Sequence, residues 1–393
     1  MTIIQIIQIV FVAYLGFASF YIFIFAFAGM FPIRKRKTIG SEMRKYAVLI
    51  PGYKEDQVII EVAEDALKQD YPSDRYDIVV IADSFKKETL NTLKKLPIKV
   101  IEVSFDVSTK SKSLNKAMAE LPDDYDVAIV LDADNIMESS FISKINNAFN
   151  KGYMAVQGHR VAKNINTRFA ILDAISEEVN NRIFRKGHRV VGLSAALIGS
   201  GMAMDYNYFK SMMKSIKAIG GFDKEIELKM LKEKKTIDFL EDAYVYDEKV
   251  QKAEVFSNQR RRWLSAQFHY FSMDFLTSLK HLLLKGNVDY FDKAIQFIQP
   301  PRVMLLGLLF IINAASVLFN PIEWVYIWLT VLAACILTFI ISIPLKFYNL
   351  KTLNAVLTLP KAFFLMFLSL LKLKGANKKF IHTEHTSTKK IDT

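Results

Sequence analysis

Five apolar residues in succession, Val127, Ala128, Ile129, Val130 and Leu131, run without a break into Asp132, Ala133 and Asp134. An apolar run this short, rich in β-branched side chains and ended by acids, reads as a strand buried on both faces. Comparable runs lie at Ala47 to Ile50, Ile78 to Ala82, Lys99 to Val103 and Met154 to Gln157, and helical periodicity fills the gaps, as at Val58, Ile59, Val62, Ala66 and Leu67. Strands alternating with helices between about residues 45 and 267 predict an α/β domain on a Rossmann-like, mostly parallel sheet. In such a sheet ligands bind beyond the C-terminal ends of the strands, so the functional residues are expected there.

The first strand leads into Pro51, Gly52, Tyr53, Lys54 and Glu55 rather than a glycine-rich dinucleotide turn or a phosphate-binding P-loop, which disfavours dehydrogenases and P-loop nucleotidases. The second strand ends at Asp83. Asp132 and Asp134, two residues apart at the end of a buried strand, can share a hard divalent cation, Mg²⁺ or Mn²⁺, that in turn binds a diphosphate. Taken alone the pair is weak evidence, because strand-end aspartates also cap the following helix.

The chain of 393 residues combines 51% hydrophobic with 23% charged residues, a mixture that predicts soluble and membrane-embedded parts together. Its one cysteine, Cys335, excludes an intramolecular disulfide framework and a zinc site built from several thiolates. From Thr2 to Pro32 no side chain is charged, and a run of this length can cross a bilayer. A cleaved signal peptide, suggested by Ala26 and Ala28 before Gly29, is disfavoured by the length of the run and the lack of a basic residue ahead of it. The charges come afterwards, as Arg34, Lys35, Arg36 and Lys37, so residues 1–33 are expected to span the membrane with the N-terminus outside.

Two further uncharged runs, Val303 to Phe319 and Trp324 to Leu345, flank a link with Asn320, Pro321 and Glu323 and predict a transmembrane hairpin over 301–346. Residues 352–373 carry Pro360 and Lys361 in their middle, with Lys346 and Lys351 before and Lys372, Lys374, Lys378 and Lys379 around and after their end. That pattern fits an interfacial helix on the cytoplasmic side better than a span. An apolar stripe at Leu264, Phe268, Phe271, Phe275, Leu279 and Leu282 predicts an amphipathic, in-plane segment over 268–300. In the basic tail, 374–393, His382 and His385 lack further ligands around them and are not read as a metal site. Much of the formal charge of +12 sits at membrane boundaries, and no nucleic-acid reader motif appears, so a nucleic-acid partner is not expected.

The order of Pro51-Gly52-Tyr53-Lys54-Glu55, Asp83, Lys110 with Ser113-Leu114-Asn115, Asp132-Ala133-Asp134, Gly199-Ser200-Gly201 and Gln259-Arg260-Arg261-Arg262-Trp263 resembles the membrane-bound family 2 glycosyltransferases, relatives of cellulose, chitin and hyaluronan synthases. The resemblance covers about Ala47 to Gln267, and its most specific piece is Q-x-x-R-W. It implies a GT-A domain that takes a sugar from a nucleotide diphosphate donor with inversion, UDP-sugars being the expected donors. By the same resemblance Asp83 holds the uracil or ribose side of the nucleotide with Glu55 nearby, Lys110 approaches the diphosphate, and Asp132 and Asp134 hold Mg²⁺ or Mn²⁺. Gly199, Ser200 and Gly201 let the backbone come close to the acceptor sugar, Gln259 and Arg262 stabilise charge on the leaving diphosphate, and Trp263 stacks on the acceptor.

The general base is where the chain departs from the family pattern. Glu241-Asp242 lies only 17 residues before Gln259, next to the expected strand Ala243 to Tyr246, whereas Glu225 lies 34 residues before it in a stretch that aligns with the family's acidic motif. Glu225 is therefore assigned as the base that deprotonates the acceptor hydroxyl. The acceptor is expected to be a glycan, with a lipid such as a polyprenyl phosphate or ceramide-like molecule as the alternative. Three spans are few for a polysaccharide channel, so polymer synthesis would call for a homo-oligomer or an exporter partner. A catalytically silent membrane scaffold is the reading from another class, supported by the departure at Lys224-Glu225.

Each site residue also has a plainer explanation. Asp83 and Asp132 can cap helices, Lys110 can be a solvated helix start, and Glu225 and Glu227 can lie on an exposed face. The Arg260 to Arg262 run can meet anionic lipid, and Trp263 can anchor at the interface. His159 reads as a hydrogen-bonded structural histidine. The joint order of the motifs is what favours the functional reading.

Overall fold

A computed structural model describes residues 3–34, 36–216, 218, 220–251 and 253–371. Lys35, Lys372, Lys374, Lys378 and Lys379, and the tail with His382 and His385, lie outside the described residues. The core is an eight-stranded sheet in the order β3-β2-β1-β4-β7-β6-β8-β5. Its strands are β1 (Tyr46–Tyr53), β2 (Tyr76–Asp83), β3 (Lys99–Val103), β4 (Val127–Val130), β5 (Ile136–Met137), β6 (Ala155–Ala162), β7 (Met202–Asp205) and β8 (Ile237–Asp247). The helices of this domain are α2 (Ile59–Ala66), α3 (Lys87–Leu93), α4 (Lys110–Glu120), α5 (Phe141–Phe149), α6 (Arg168–Asn180), the short α7 (His188–Val190), α8 (Tyr206–Met213) and α9 (Phe222–Lys232), and α1 (Ile3–Ala28) precedes them.

The apolar strands are apolar because helices cover both faces. Leu49, Val79 and Val130 pack with α4, α8 and α9 on one side, while Val48, Val80 and Ile129 pack with α2 and α5 on the other. Strands β1, β2, β3 and β4 are mutually parallel, as expected. The second half is mixed, because β7 runs antiparallel between β4 and β6, and β5 antiparallel to β8. Inserting β7 in reverse sets its first residue, Met202, opposite Val130 at the end of β4. The Gly199-Ser200-Gly201 turn before β7 therefore meets the Asp132-Ala133-Asp134 turn after β4.

After the sheet come α10 (Ala253–Lys285), α11 (Val288–Ile298), α12 (Arg302–Phe319), α13 (Ile322–Ser342), α14 (Leu350–Val356) and α15 (Leu359–Leu371). Among the described residues three helical stretches are long and apolar enough to cross a membrane: Gln5–Ala28, Arg302–Phe319 and Ile322–Ser342. Leu15, Ala18 and Ile22 of α1 pack with Trp328, Val331 and Cys335 of α13. Gln8 donates to Asn320 at 2.6 Å, which puts the start of α1 and the α12–α13 link at the same end of the bundle. The 352–373 region is two helices, α14 and α15, bent by 43°. Phe363 of α15 lies where a side chain on Gly307 would have to go, so α15 lies hard against α12.

Segment 268–300 forms an antiparallel helical pair that reverses at Gly286, whose φ is +59°. Part of the expected stripe turns inward: Leu264 is buried, and Phe275 packs against Phe271 with tilted rings at 4.9 Å and meets Phe291 of α11 at 6.3 Å.

The domain end of α1 is locked to the π-helical turn Asn181–Gly187 that continues α6. His188 stacks on Phe25 with ring centroids 3.7 Å apart, and Arg182 donates to the Gly29 carbonyl. A β-carbon on Gly187 would fall 2.0 Å from the Phe25 carbonyl oxygen, a backbone atom that cannot step aside. Gly187→Ala is expected to destabilise the protein by about 2 kcal/mol, the scale of an overpacked core, and to lower its thermal midpoint by a few degrees. An unchanged thermal melt of the purified variant in lipid would contradict this packing.

Candidate active site

Lys110 stands at the centre of the site. As the first residue of α4 it follows the cap Thr109, whose side chain accepts from the Lys112 amide. Its ammonium donates to the Asp132 carboxylate and, at 2.6 Å, to the Gly199 carbonyl. The reading of Lys110 as a solvated helix start does not hold, because one side chain ties three separate motifs together. Ser200, fully buried, accepts from the Asp132 amide through its hydroxyl at 2.9 Å. The Gly201 amide donates to the Val130 carbonyl at 2.8 Å. Gly199 and Gly201 have φ of +81° and +62°, where a β-carbon is strained.

A second part of the site is built on the ends of β1 and β2. Lys54 and Ser84 both take left-handed backbone, φ +55° and +59°, unusual for residues with side chains. The Lys54 amide donates to the Asp83 carbonyl at 3.1 Å, so the two loops turn together. Asp83 is 1% exposed; its Oδ1 accepts from the Ser84 hydroxyl at 2.9 Å, while its Oδ2 has no partner among the described residues. A buried acceptor left open costs stability and so marks a place for a ligand donor. Glu55 is buried beside this turn. Phe85 sits against Gly52, whose missing β-carbon leaves room for its ring.

Asp132 and Asp134 differ in surroundings. Asp132 is paired with Lys110 and partly exposed, whereas Asp134 is buried and accepts from the Asn135 amide at 3.1 Å. Among the described residues no group of three or more histidines, cysteines or acids gathers to hold a metal. Two carboxylates suit Mg²⁺ or Mn²⁺ when phosphate oxygens and water supply the remaining ligands, so the residues fit a cation that arrives with a diphosphate. The Lys110 ammonium on Asp132 indicates that this turn already attracts positive charge.

The acidic stretch before α10 is divided by the fold. Glu225 pairs with Lys229 one turn along α9 at 2.9 Å. Glu227 is buried rather than on an exposed face; burial pushes its pKa up, while Lys293 at 2.6 Å opposes the shift. Asp223, in the first turn of α9, is buried with its Cβ and Cγ 3.6 Å from the position of a β-carbon on Gly199. Asp242 is exposed in the irregular part of β8, where its carbonyl accepts from Lys144.

On α10, Arg260 pairs with Asp173 of α6 and lies 4.5 Å over the Trp263 ring. Gln259 has a buried Oε1 with no partner among the described residues. Burial pulls the Arg262 pKa down, the signature of a guanidinium held in a poorly solvated place. Trp263 is 37% exposed, and its neighbour Leu264 packs with Met304 of α12 and Met366 of α15. Ala266 and Tyr270 touch Gly221 at the start of α9, so α10 abuts the helix that carries Asp223.

Behind the site lies a buried ionic cluster that the sequence did not announce. Glu177 pairs with Arg160 at 2.8 Å and Arg185 at 3.3 Å; Asp247 pairs with Lys249 at 2.6 Å. Burial would raise Asp247, but Arg160 and Lys249 outweigh it and hold its carboxyl below the usual range. Lys163, 1% exposed, donates to the Asp134 carbonyl at 2.8 Å. His159 bridges the Glu241 carbonyl and the Glu178 carboxylate, a structural role.

The fold has relatives among known proteins. The chain is 26% identical over 97 residues to the poly(ribitol-phosphate) β-N-acetylglucosaminyltransferase TarS of Staphylococcus aureus (strain Mu50), which covers 24% of this chain and 17% of that one. It thus spans about a sixth of that relative's length. The mannosyltransferase PcManGT from Pyrobaculum calidifontis, solved with GDP-Man and Mn²⁺, superposes with a TM-score of 0.54 at 14% identity, covering 85% of this chain and 98% of that one. Glucosyl-3-phosphoglycerate synthase from Mycobacterium tuberculosis, solved with Mn²⁺, UDP and phosphoglyceric acid, gives a TM-score of 0.38 at 14% identity over 54% of this chain and 73% of that one. The superposition on the mannosyltransferase supports the GT-A fold. A sequence profile described as glycosyltransferase like family 2 matches residues 44–266, more than half of the 393 residues, and the chain belongs to that family.

Proposed function

We propose that the protein is an inverting, metal-dependent transferase that moves a sugar from a nucleotide diphosphate sugar, a UDP-sugar in the first instance, to an acceptor hydroxyl at the cytoplasmic face of a membrane. The observation that carries this reading is the convergence of the Asp132-Ala133-Asp134 turn, the start of α4 and the Gly199-Ser200-Gly201 turn on the Lys110 ammonium. Asp83 and Glu55 hold the nucleoside. Asp132 and Asp134 hold Mg²⁺ or Mn²⁺, which when bound neutralises the diphosphate. Lys110, Gln259 and Arg262 stabilise the negative charge on the departing phosphate oxygen. A carboxylate on α9 takes the proton of the acceptor hydroxyl as the new bond to the anomeric carbon forms and the bond to phosphate breaks. One displacement inverts the centre, and no glycosyl-enzyme forms.

Geometry favours Asp223 over Glu225 as that carboxylate, because Asp223 faces Gly199 while Glu225 is engaged with Lys229. The acceptor is a glycan presented at the membrane surface. A lipid acceptor is the second reading, favoured by the packing of Leu264, next to Trp263, against Met304 of α12 and Met366 of α15. An acceptor reaching Trp263 would then pass beside membrane helices.

The test is release of nucleotide diphosphate by the full chain in lipid, across UDP- and GDP-sugars, with and without Mn²⁺. Metal-dependent release that selects one donor supports the transferase. A ladder of products indicates a glycan acceptor, and a single lipid-extractable sugar indicates a lipid. Failure to bind any nucleotide sugar would return the protein to the scaffold reading.

A further inference from the structure

We infer that Asn135 is a positioning residue for the cation-binding turn, a role that rests on the proposed use of Asp132 and Asp134. Asn135 is fully buried. Its amide nitrogen donates to Asp134 Oδ1 at 3.1 Å and to Asp247 Oδ1 at 3.0 Å, and its oxygen accepts from the Ser200 hydroxyl at 2.6 Å. Two carboxylates require donors, so chemistry fixes which end of the amide faces them. Both donor hydrogens are committed, one to each acid.

Asp134 and Asp247 would otherwise repel across a short, poorly solvated gap. The charge of Asp247 is absorbed by Lys249 at 2.6 Å and Arg160 at 3.6 Å. With Asp247 held in that way, the Asn135 amide fixes the plane of the Asp134 carboxylate. Through Ser200 the same amide reaches the other aspartate, because the Ser200 hydroxyl also accepts from the Asp132 amide. Gln157, fully buried, completes the frame by donating to the Ser200 carbonyl at 2.9 Å and accepting from the Ile198 amide at 3.1 Å. The D-A-D turn and the G-S-G turn are thus tied together, and are anchored through Asp247 and Arg160 to the ionic cluster around Glu177 of α6.

Residues that orient metal-binding carboxylates typically change metal affinity by ten- to a hundredfold when removed. The experiment titrates Mn²⁺ into the full chain in lipid nanodiscs with saturating UDP, counting free Mn²⁺ by electron paramagnetic resonance. Asn135→Leu, close in shape but without hydrogen bonds, is expected to weaken Mn²⁺ binding at least tenfold, with kcat recovering as Mn²⁺ is raised. Mere loss of folded protein would not be repaired by metal. Equal Mn²⁺ affinity in wild type and Asn135→Leu, with Asp134→Ala binding none, would overturn the positioning role alone. Wild type that binds no Mn²⁺ would overturn the metal reading beneath it. If Asn135→Leu does not fold, Ser200→Ala releases the same amide from the Asp132 side and is expected to weaken Mn²⁺ binding measurably; unchanged affinity there also counts against the role.

Discussion

Asp134→Ala is expected to abolish turnover, lowering kcat by about a thousandfold or more, and to remove the Mn²⁺ dependence of donor binding. A carboxylate that holds a cation on a leaving diphosphate contributes several kcal/mol to the transition state, and each 1.4 kcal/mol is about tenfold in rate. The fold should survive, because Asn135 keeps its bonds to Asp247 and Ser200 when Asp134 is shortened. A thermal melt near that of wild type, together with nucleotide binding that no longer responds to Mn²⁺, is the expected pair of results. Metal-stimulated turnover retained in this variant would remove the D-A-D turn from the mechanism.

The parallel half of the sheet was legible because its strands are buried on both faces and so are apolar throughout, as at Val127 to Val130. Strand β7 was not legible. Met202–Asp205 is four residues long, carries no alternation, and takes its place only by pairing with β4 and β6, partners far away in the sequence. The same limit applies to the site. Asp132, Lys110 and the Gly199 to Gly201 turn can be named from motif order, but that Lys110 touches both of the others depends on the reversed strand. Asn135, Gln157 and Asp247 carry no signal of their own except that Asn135 directly follows the acidic turn. Their importance lies in hydrogen bonds between segments 41 to 112 residues apart. Helical periodicity found α10 but could not say that α11 would cover part of its stripe, since pairing of two amphipathic helices depends on the Gly286 reversal.

Asp223→Asn is expected to lower kcat by a factor of about 10² to 10⁴, the usual worth of a positioned general base, while leaving donor binding within twofold of wild type. Glu225→Gln is expected to cost less than about tenfold. Sequence alignment points to Glu225, but a base must first be within reach of the proton it removes. Glu225 spends its carboxylate on Lys229 at 2.9 Å, an i to i+4 pair along α9. Asp223 sits at the mouth of the helix against Gly199, and the Gly199 carbonyl is held by the Lys110 ammonium that also holds Asp132. A left-handed glycine at position 199 lets the chain pass close to Asp223, since a β-carbon there would lie 3.3 Å from the Phe222 ring. Asp223 is therefore the α9 carboxylate that lies against the Gly199 turn, and amide substitution removes its proton affinity while keeping its shape. Single-turnover release of nucleotide diphosphate, measured beside equilibrium donor binding for both variants, separates chemistry from affinity. A dead Glu225→Gln beside an active Asp223→Asn would return the base to Glu225 and require α9 to rotate or the Lys229 pair to open when the acceptor binds.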